Sequence, residues 1–463
     1  MNLSITQRIA DLCLNELPAR VGETELINAR MCMIDSLAVA YTATDLPPIS
    51  MLLDVIGPNG IPNGGASVLG RKMQLLPHVA AEVNGMMISL MLFDDNHAEM
   101  RGHPSGPLAP AVLALAEDCG INLDEMLTAF VVGYELECRL GMVLNPSQYE
   151  IGWHATATQG AFGATAASAL ILGLDIDATC RAFGIVSSML GGLRRNFGTM
   201  TMSYHSGLTA AAGVKAARLA AAGFTASSDI FDGEMSVGHV LSREWRPEHL
   251  LDGLAVWGVP FCIVNSGPIF KLYPTGRPTL APIECALALR ASGQLAADNI
   301  ERIICNVSFM YPRTLIHARP TTGLQGKTSL QYCVATSLLD GPPTLGSFTD
   351  EAVQRASITN LIEKIEVNVP ANLGPEMPRV RAQPFDQPVS VSVIMRDGTR
   401  RTETVSHHKG TSLNPVTKAD LLSKFTECVK GRFPDHMAVD LSEILCHPGA
   451  NIDDMLRLLG ERD

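Results

Sequence analysis

No Cys-x-x-Cys occurs among the 11 cysteines of this 463-residue chain, and none of them falls into a zinc-type cluster. That leaves a zinc ribbon, a dithiol redox motif and an iron–sulfur centre without sequence support. Buried thiols in a reducing compartment are the simplest reading. Positive charge is also scarce: 35 Lys and Arg stand against 47 Asp and Glu, a net charge of -12. Nucleic acid and anionic membrane surfaces are recognised through basic surface, so neither is an expected partner. No apolar run approaches the ~18 residues of a membrane span, MMISLMLF at 86–93 being far too short. The opening MNLSITQRIADLCLNELP has no basic start followed by an apolar core, so no secretory signal is expected. No G-x-G-x-x-G follows a strand-like run, which leaves a dinucleotide fold unsupported, and no internal repeat or low-complexity tract is visible. The expectation is a soluble cytoplasmic protein that holds any small anionic ligand by local positive charge.

With 46% hydrophobic and 18% charged residues, the chain has a globular composition and is longer than one core usually supports. Its texture suggests where it divides. From residue 1 to 268 apolar positions recur at three and four, as in RIADLCLNEL, ELINARMCMIDSLAVAYTA, DEMLTAFVVGYELECRLGMVL and GAFGATAASALILGLD. The many small residues on these stretches let helix axes approach closely, which suits helices packed on helices. Between 269 and 408 alternating runs enter: IERIICNVSF (300–309), IEKIEVNVP (362–370), and PVSVSVIMRDGTRRTETVSH (388–407), whose Asp397-Gly398 marks a hairpin. Helical KTSLQYCVATSLLDG (327–341) and FTDEAVQRASITNLIEKI (348–365) lie between them. From 409 to 463 the pattern is helical again. The predicted class is mainly α with α+β: a large all-helical domain, completed by a returning 409–463 segment, and an inserted α+β domain at 269–408. Two connecting segments would suit a lid.

Four stretches carry chemistry. LFDDNHAEMRGHPSG (92–106) gathers Asp94, Asp95, His97, Glu99, Arg101 and His103 in an otherwise apolar chain. One reading is a polar loop presenting His103 as acid or base, with the aspartates holding it and Pro104 starting a helix at whose first amides Ser105 or His103 could meet an anion. A solvated capping loop explains the same residues, and His97, Glu99 and His103 match no established metal-ligand spacing. IGWHATATQGAFG (151–163) places His154 before a Thr-rich turn, where a satisfied structural histidine is the plain alternative. RRNFGTMTMSYHSG (194–207) sets Arg194, Arg195 and His205 around glycines, a carboxylate site or a surface loop. FKLYPTGRPT (270–279) offers Lys271, Tyr273 and Arg277, residue types that grip carboxylates. Three stretches come from the helical part and one from the junction, where a cleft between domains is expected.

Taken in order, MCMIDSLAVAYTA, LFDDNH, GHPSGPLAPAVLALAE, VGYELECRLG, GWHATATQGAFGATAASALILGLD, GTMTMSYHSGLTAAAGVKAARLAAAGFT, FKLYPTGR and KTSLQYCVATSLLDG resemble the MmgE/PrpD family, which includes 2-methylcitrate dehydratase, cis-aconitate decarboxylase and iminodisuccinate epimerase. The resemblance implies a large helical domain, a smaller α+β lid, a homodimer, and no metal or organic cofactor. It places His103, His154, His205 and Lys271 where such enzymes have theirs. The sequence also departs from the family: Leu92 and Asn96 replace an Asp and a Thr of D-F-D-D-T-H, Met202 replaces the Lys of K-P-L-H, and Gly276 replaces a decarboxylase histidine. These departures count against cis-aconitate decarboxylation.

The leading expectation is a cofactor-independent lyase that removes a proton next to a carboxylate of a small polycarboxylate. His103 would be the base, oriented by Asp94; His154 or Tyr149 would be the proton donor; Lys271 and Arg277 would stabilise the charge that accumulates on the carboxylate. Asp95, Asn96, His97, Ser105, Arg194, His205 and Tyr273 would complete the substrate site. An epimerase of iminodisuccinate type needs no leaving-group acid and is the second reading. A catalytically inactive family scaffold is the third.

Overall fold

The computed structural model describes all residues except 1–2, 58–64, 255, 294–296, 376–386, 435, 448–449, 451 and 460–463. It divides into two compact units, Met1–Phe270 with Val416–Asp463, and Lys271–Pro415. Each is built by a different rule.

The first unit is a packing of helices: α1 (Glu23–Ala43), α2 (Pro77–Leu90), α3 (Ser105–Cys119), α4 (Leu123–Leu144), α5 (Ala155–Ile171), α6 (Ile176–Ser187) and α7 (Met200–Ala221). Local signals set their ends. Asn122 caps α4 by accepting from the Glu125 N–H while the Glu125 carboxylate accepts from the Asn122 N–H, and Gly120 at φ +65° closes α3. Small residues set the helix spacing. A Cβ placed on Gly207 of α7 would lie 2.1 Å from the Glu82 carbonyl of α2, and one on Gly133 of α4 would lie 2.7 Å from the Gly163 carbonyl of α5. Backbones therefore touch along these seams, which brings the starts of α5 and α7 close to the loop that precedes α3. The returning helix Lys418–Val429 packs on α1, and its buried Lys424 reaches both Asp35 (2.6 Å) and the Phe93 carbonyl (2.7 Å). Two details differ from the helical expectation. RIADLCLNEL widens into a π turn at Leu12–Glu16, and a two-residue antiparallel ladder joins Ala66–Ser67 to Gln74–Leu75 through a turn containing Gly70 at φ +66°.

The second unit packs α8 (Leu280–Ala291) and α9 (Leu330–Leu339) on a four-stranded mixed sheet of β1 (Ile300–Asn306), β2 (Ile365–Asn368), β3 (Val389–Met395) and β4 (Arg400–Val405). The order is β2-β1-β3-β4: β1 and β2 run parallel with Ile303 beside Ile365, and the other pairs are antiparallel. Asp397 and Gly398 do form the turn of the β3–β4 hairpin, with the Asp397 carboxylate accepting from the Thr399 N–H and Gly398 at φ +85°. Ile303, Cys305, Val389, Val391 and Val393 sink into a core shared with Ile283, Leu330 and Ile358. The run 348–365 is not one helix. It breaks into Asp350–Val353 and Ala356–Ile362 because Arg355 between them is extended.

Candidate active site

The site of the first unit is assembled from the loop 92–104, the start of α5, the segment 188–199 and the start of α7. The loop is held in a fixed shape. Leu92 (φ +52°) and Arg101 (φ +56°) both lie in the left-handed region that side chains other than Gly, Asn and Asp rarely adopt. Asn96 pairs through its backbone with Ile269 (2.9 and 2.7 Å), and His97 donates its N–H to the Gly102 carbonyl (3.0 Å). Lys424 fastens the loop at Phe93.

His103 is the product of this shaping. Its Nδ1 lies 3.0 Å from Oδ2 of the fully buried Asp94, its Nε2 lies 3.2 Å from Nδ2 of Asn96, and its backbone N–H donates to Thr156 Oγ1. The Asn96 side chain also faces the Gly102 carbonyl at 3.3 Å, which only an NH2 can donate to. The assignment that follows is an Asn96 N–H donated to Nε2, which leaves the ring proton on Nδ1, close to Asp94 but outside hydrogen-bond geometry.

His154 caps the start of α5 and donates its backbone N–H to the Gly192 carbonyl (2.9 Å). Its Nδ1 stands 3.0 Å from Nδ1 of His205 on α7, its ring meets Phe197 edge-on at 5.1 Å, and the His103 ring is 6.3 Å away. Burial first, then the neighbouring His205 and His103, push the His154 pKa well below the ordinary histidine value, and burial lowers that of His205. Both rings are therefore neutral at neutral pH.

Arg194 donates from Nη1 to the Tyr149 carbonyl (2.7 Å) and stacks on the Tyr149 ring at 3.7 Å, with Arg101 at 5.9 Å from the same ring. Arg195 is exposed.

Other residues of these stretches face the interior. Asp95 accepts from the Ser105 hydroxyl (2.8 Å) and the Ser105 N–H (3.3 Å), an arrangement that anchors the first residue of α3. Its carboxyl is pushed up to about 7, first by burial and then by Asp35. His97 is fully buried, accepts the Met100 N–H at Nδ1 and lies edge-on to Tyr134 at 5.8 Å. Met202 is buried, Ser203 donates to the Ser89 carbonyl, and Tyr204 donates to Glu82. Of the run Met202 to His205, His205 is the residue seated against the histidine cluster.

Lys271, Tyr273 and Arg277 belong to the second unit. Lys271 is fully buried and Arg277, in the short turn Arg277–Thr279, is 8% exposed. Near Lys271, Lys327 donates to the Pro274 carbonyl (3.0 Å); burial, and then the charge of Lys271, bring its pKa down to about 7. Burial and then Glu284 push Tyr273 up to about 12. A Cβ on Gly276 would meet nothing closer than the Lys327 carbonyl at 3.5 Å. A Cβ there is in ordinary van der Waals contact, so packing around that atom does not demand glycine.

Sequence reasoning passed over Thr156, Phe197, Gly192, Lys424 and Lys327. Thr156, Phe197 and Lys327 sit inside stretches already quoted and Gly192 lies two residues before one of them, whereas Lys424 is 331 positions from its Phe93 partner and carries no local signal. Among the described residues no group of three or more His, Cys, Asp or Glu stands where it could hold a metal ion, and no helix is long and apolar enough to cross a membrane.

The first unit thus presents a carboxylate-backed imidazole beside a neutral imidazole pair, an apparatus for moving protons. Residues 4–250 match the MmgE/PrpD N-terminal domain and residues 273–446 the MmgE/PrpD C-terminal domain. The cis-aconitate decarboxylase of Mus musculus is 29% identical over 78% of this chain and 74% of its own length, and that of Homo sapiens 26% identical over 91% and 87%. The 2-methylcitrate dehydratase of Salmonella typhimurium is 27% identical over 73% of this chain and 72% of its own length. With matches along most of its length, the chain belongs to the MmgE/PrpD family.

Proposed function

We propose that this protein is a lyase that removes a proton next to a carboxylate of a small polycarboxylate and then expels a leaving group, as a dehydratase does. The observation that carries this reading is the pairing of Asp94 with His103 at 3.0 Å beside the His154–His205 pair. Asp94 orients His103 and stabilises the imidazolium that forms when Nε2 takes the substrate proton. In the resting site the Asn96 amide covers that nitrogen. A substrate carboxylate is an alternative acceptor for the Asn96 N–H, so substrate binding and release of the base are coupled. His154, neutral and 5% exposed, is the proton donor to the leaving group. Tyr149, held by Arg194, is the alternative donor, and Arg194 itself brings a cation to the site. The relatives named above act, by their names, on cis-aconitate and 2-methylcitrate, which supports the polycarboxylate class.

The test is turnover of a panel of cis-aconitate, citrate, 2-methylcitrate and iminodisuccinate, with Asp94→Asn assayed beside the wild type. Water loss from a hydroxy-polycarboxylate is the expected outcome, with kcat lowered on the order of 10² to 10⁴-fold in Asp94→Asn. An iminodisuccinate epimerisation without elimination would move the reaction to the epimerase class. Silence with all four compounds would overturn the reading and favour an inactive scaffold.

A further inference from the structure

A cavity of about 290 Å³ lies behind His205, bounded by Gly192, Ala157, Thr209, Ala212, Glu82 and Lys215 among others. Its rim is accessible: Lys215 is exposed, Glu82 is partly exposed, and Leu208 and Met189 are 45% and 37% exposed. His205 therefore has two neighbours of different kinds, His154 through Nδ1 at 3.0 Å and a surface-connected space that His205 helps to line.

Two Nδ1 atoms at that distance share one proton. If His205 holds it, His154 accepts at Nδ1 and carries its own proton at Nε2; if His154 holds it, the arrangement is reversed. Both rings being neutral, each tautomer of one fixes the tautomer of the other. Gly192 lies beside both residues: at φ +82° a Cβ there would stand 3.4 Å from His154 Cβ and 3.4 Å from His205 Cγ, and 2.5 Å from Ala157 Cβ. His103, Asp94 and Arg194 are the charged or titratable groups felt by His154 from the other elements, and Glu82 of α2 and Lys215 of α7 stand at the cavity.

We infer that His205 is a proton relay joining His154 to the cavity. When His154 gives its Nε2 proton to the leaving group, the shared proton passes from Nδ1 of His205 to Nδ1 of His154, and Nε2 of His205 takes a proton from cavity water; the hydroxide left behind is neutralised by the proton that His103 returns to solvent. One proton enters for each one delivered. Passage in the opposite direction, with the site open to water, restores the starting tautomers. The inference rests on the proposed role of His154 as donor, and it makes His205 a positioning and relay residue that need not touch substrate.

Two measurements test it. The first needs no substrate: long-range ¹H–¹⁵N spectra of protein labelled at histidine should show one of the two rings protonated at Nδ1 and the other at Nε2, with the His154 tautomer changed in His205→Ala. Two rings both protonated at Nε2, or a His154 spectrum indifferent to the substitution, would overturn the relay. The second uses whichever polycarboxylate is turned over. His205→Ala should lose about 10²-fold in kcat with KM little altered, and added imidazole, entering through the cavity, should restore at least a tenth of the loss. In Ala212→Leu, which narrows the cavity without touching either ring, kcat should fall too, and imidazole should not restore it. Full activity in both variants, or a loss that imidazole leaves unchanged in His205→Ala, would overturn the relay. If no compound is turned over by the wild type, the proposed reaction fails while the spectra still decide whether the shared proton exists.

Discussion

The Nδ1 atoms of His154 and His205 cannot both keep lone pairs or both keep protons at 3.0 Å, and this constraint ties stability to pH. Both rings are held below the ordinary histidine pKa, first by burial. The unfolded chain protonates them below about pH 6.5, while the folded chain resists until the pH is lower still. Between the depressed folded pKa values and about 6.5 the unfolded state binds more protons, so stability rises with pH through that window and is lost as pH falls through it. The melting temperature should drop between pH 7 and 5, and His154→Gln should flatten that acid limb. An unchanged limb would mean that the pair is not held neutral. At this scale the sequence marked residues that the structure brings together, not their geometry. His103, His154 and His205 stand out as histidines in polar turns, and they converge. The inward direction of Asp95, His97 and Ser105, and the Asn96 amide on His103, depend on side-chain directions in an irregular loop, where no periodicity applies.

At the scale of elements, glycine decides which helices can meet. α2 and α7 approach until the Glu82 carbonyl is 2.1 Å from where a Gly207 Cβ would sit. Gly207→Ala must push the helices apart, at about 1–3 kcal/mol of stability, and it should lower activity as well because His205 lies two residues away on the same helix. Denaturant unfolding beside wild type reads the first effect; an unchanged midpoint would contradict the close packing. The small-residue pattern of GAFGATAASALILGLD and its neighbours was readable as close packing because helical spacing is a local property. The Asp397-Gly398 hairpin was readable for the same reason, since the turn demands those residues. The parallel pairing of β1 with β2, and the break at Arg355, were not legible: the first joins residues about 60 positions apart, and the second replaces a helical pattern by an extended residue without a Gly or Pro to announce it.

At the scale of the whole molecule, the chain's last segment is part of the site's support. Lys424 forms a buried ion pair with Asp35 and holds the loop at Phe93, joining helix Lys418–Val429 to α1 and to the residues before His103. Lys424→Ala leaves Asp35 buried without its cation and should cost about 3–5 kcal/mol, with Asp35→Asn in the same background recovering part of the loss in a thermal melt. An effect no larger than that of an exposed lysine would show that the pair is not a brace. A mainly helical chain with a small sheet was evident from composition and periodicity, and the resemblance to MmgE/PrpD proteins holds over both matched regions. In the proposed reaction His103 abstracts a proton beside a carboxylate. Proton NMR in deuterated buffer tests it most directly, with 2-methylcitrate, citrate, cis-aconitate and iminodisuccinate supplied in turn to the wild type and to His103→Ala. The expected result is loss of a substrate C–H signal with formation of an unsaturated product by the wild type alone. Product formed equally well by His103→Ala, or no change in any spectrum with the wild type, would contradict it.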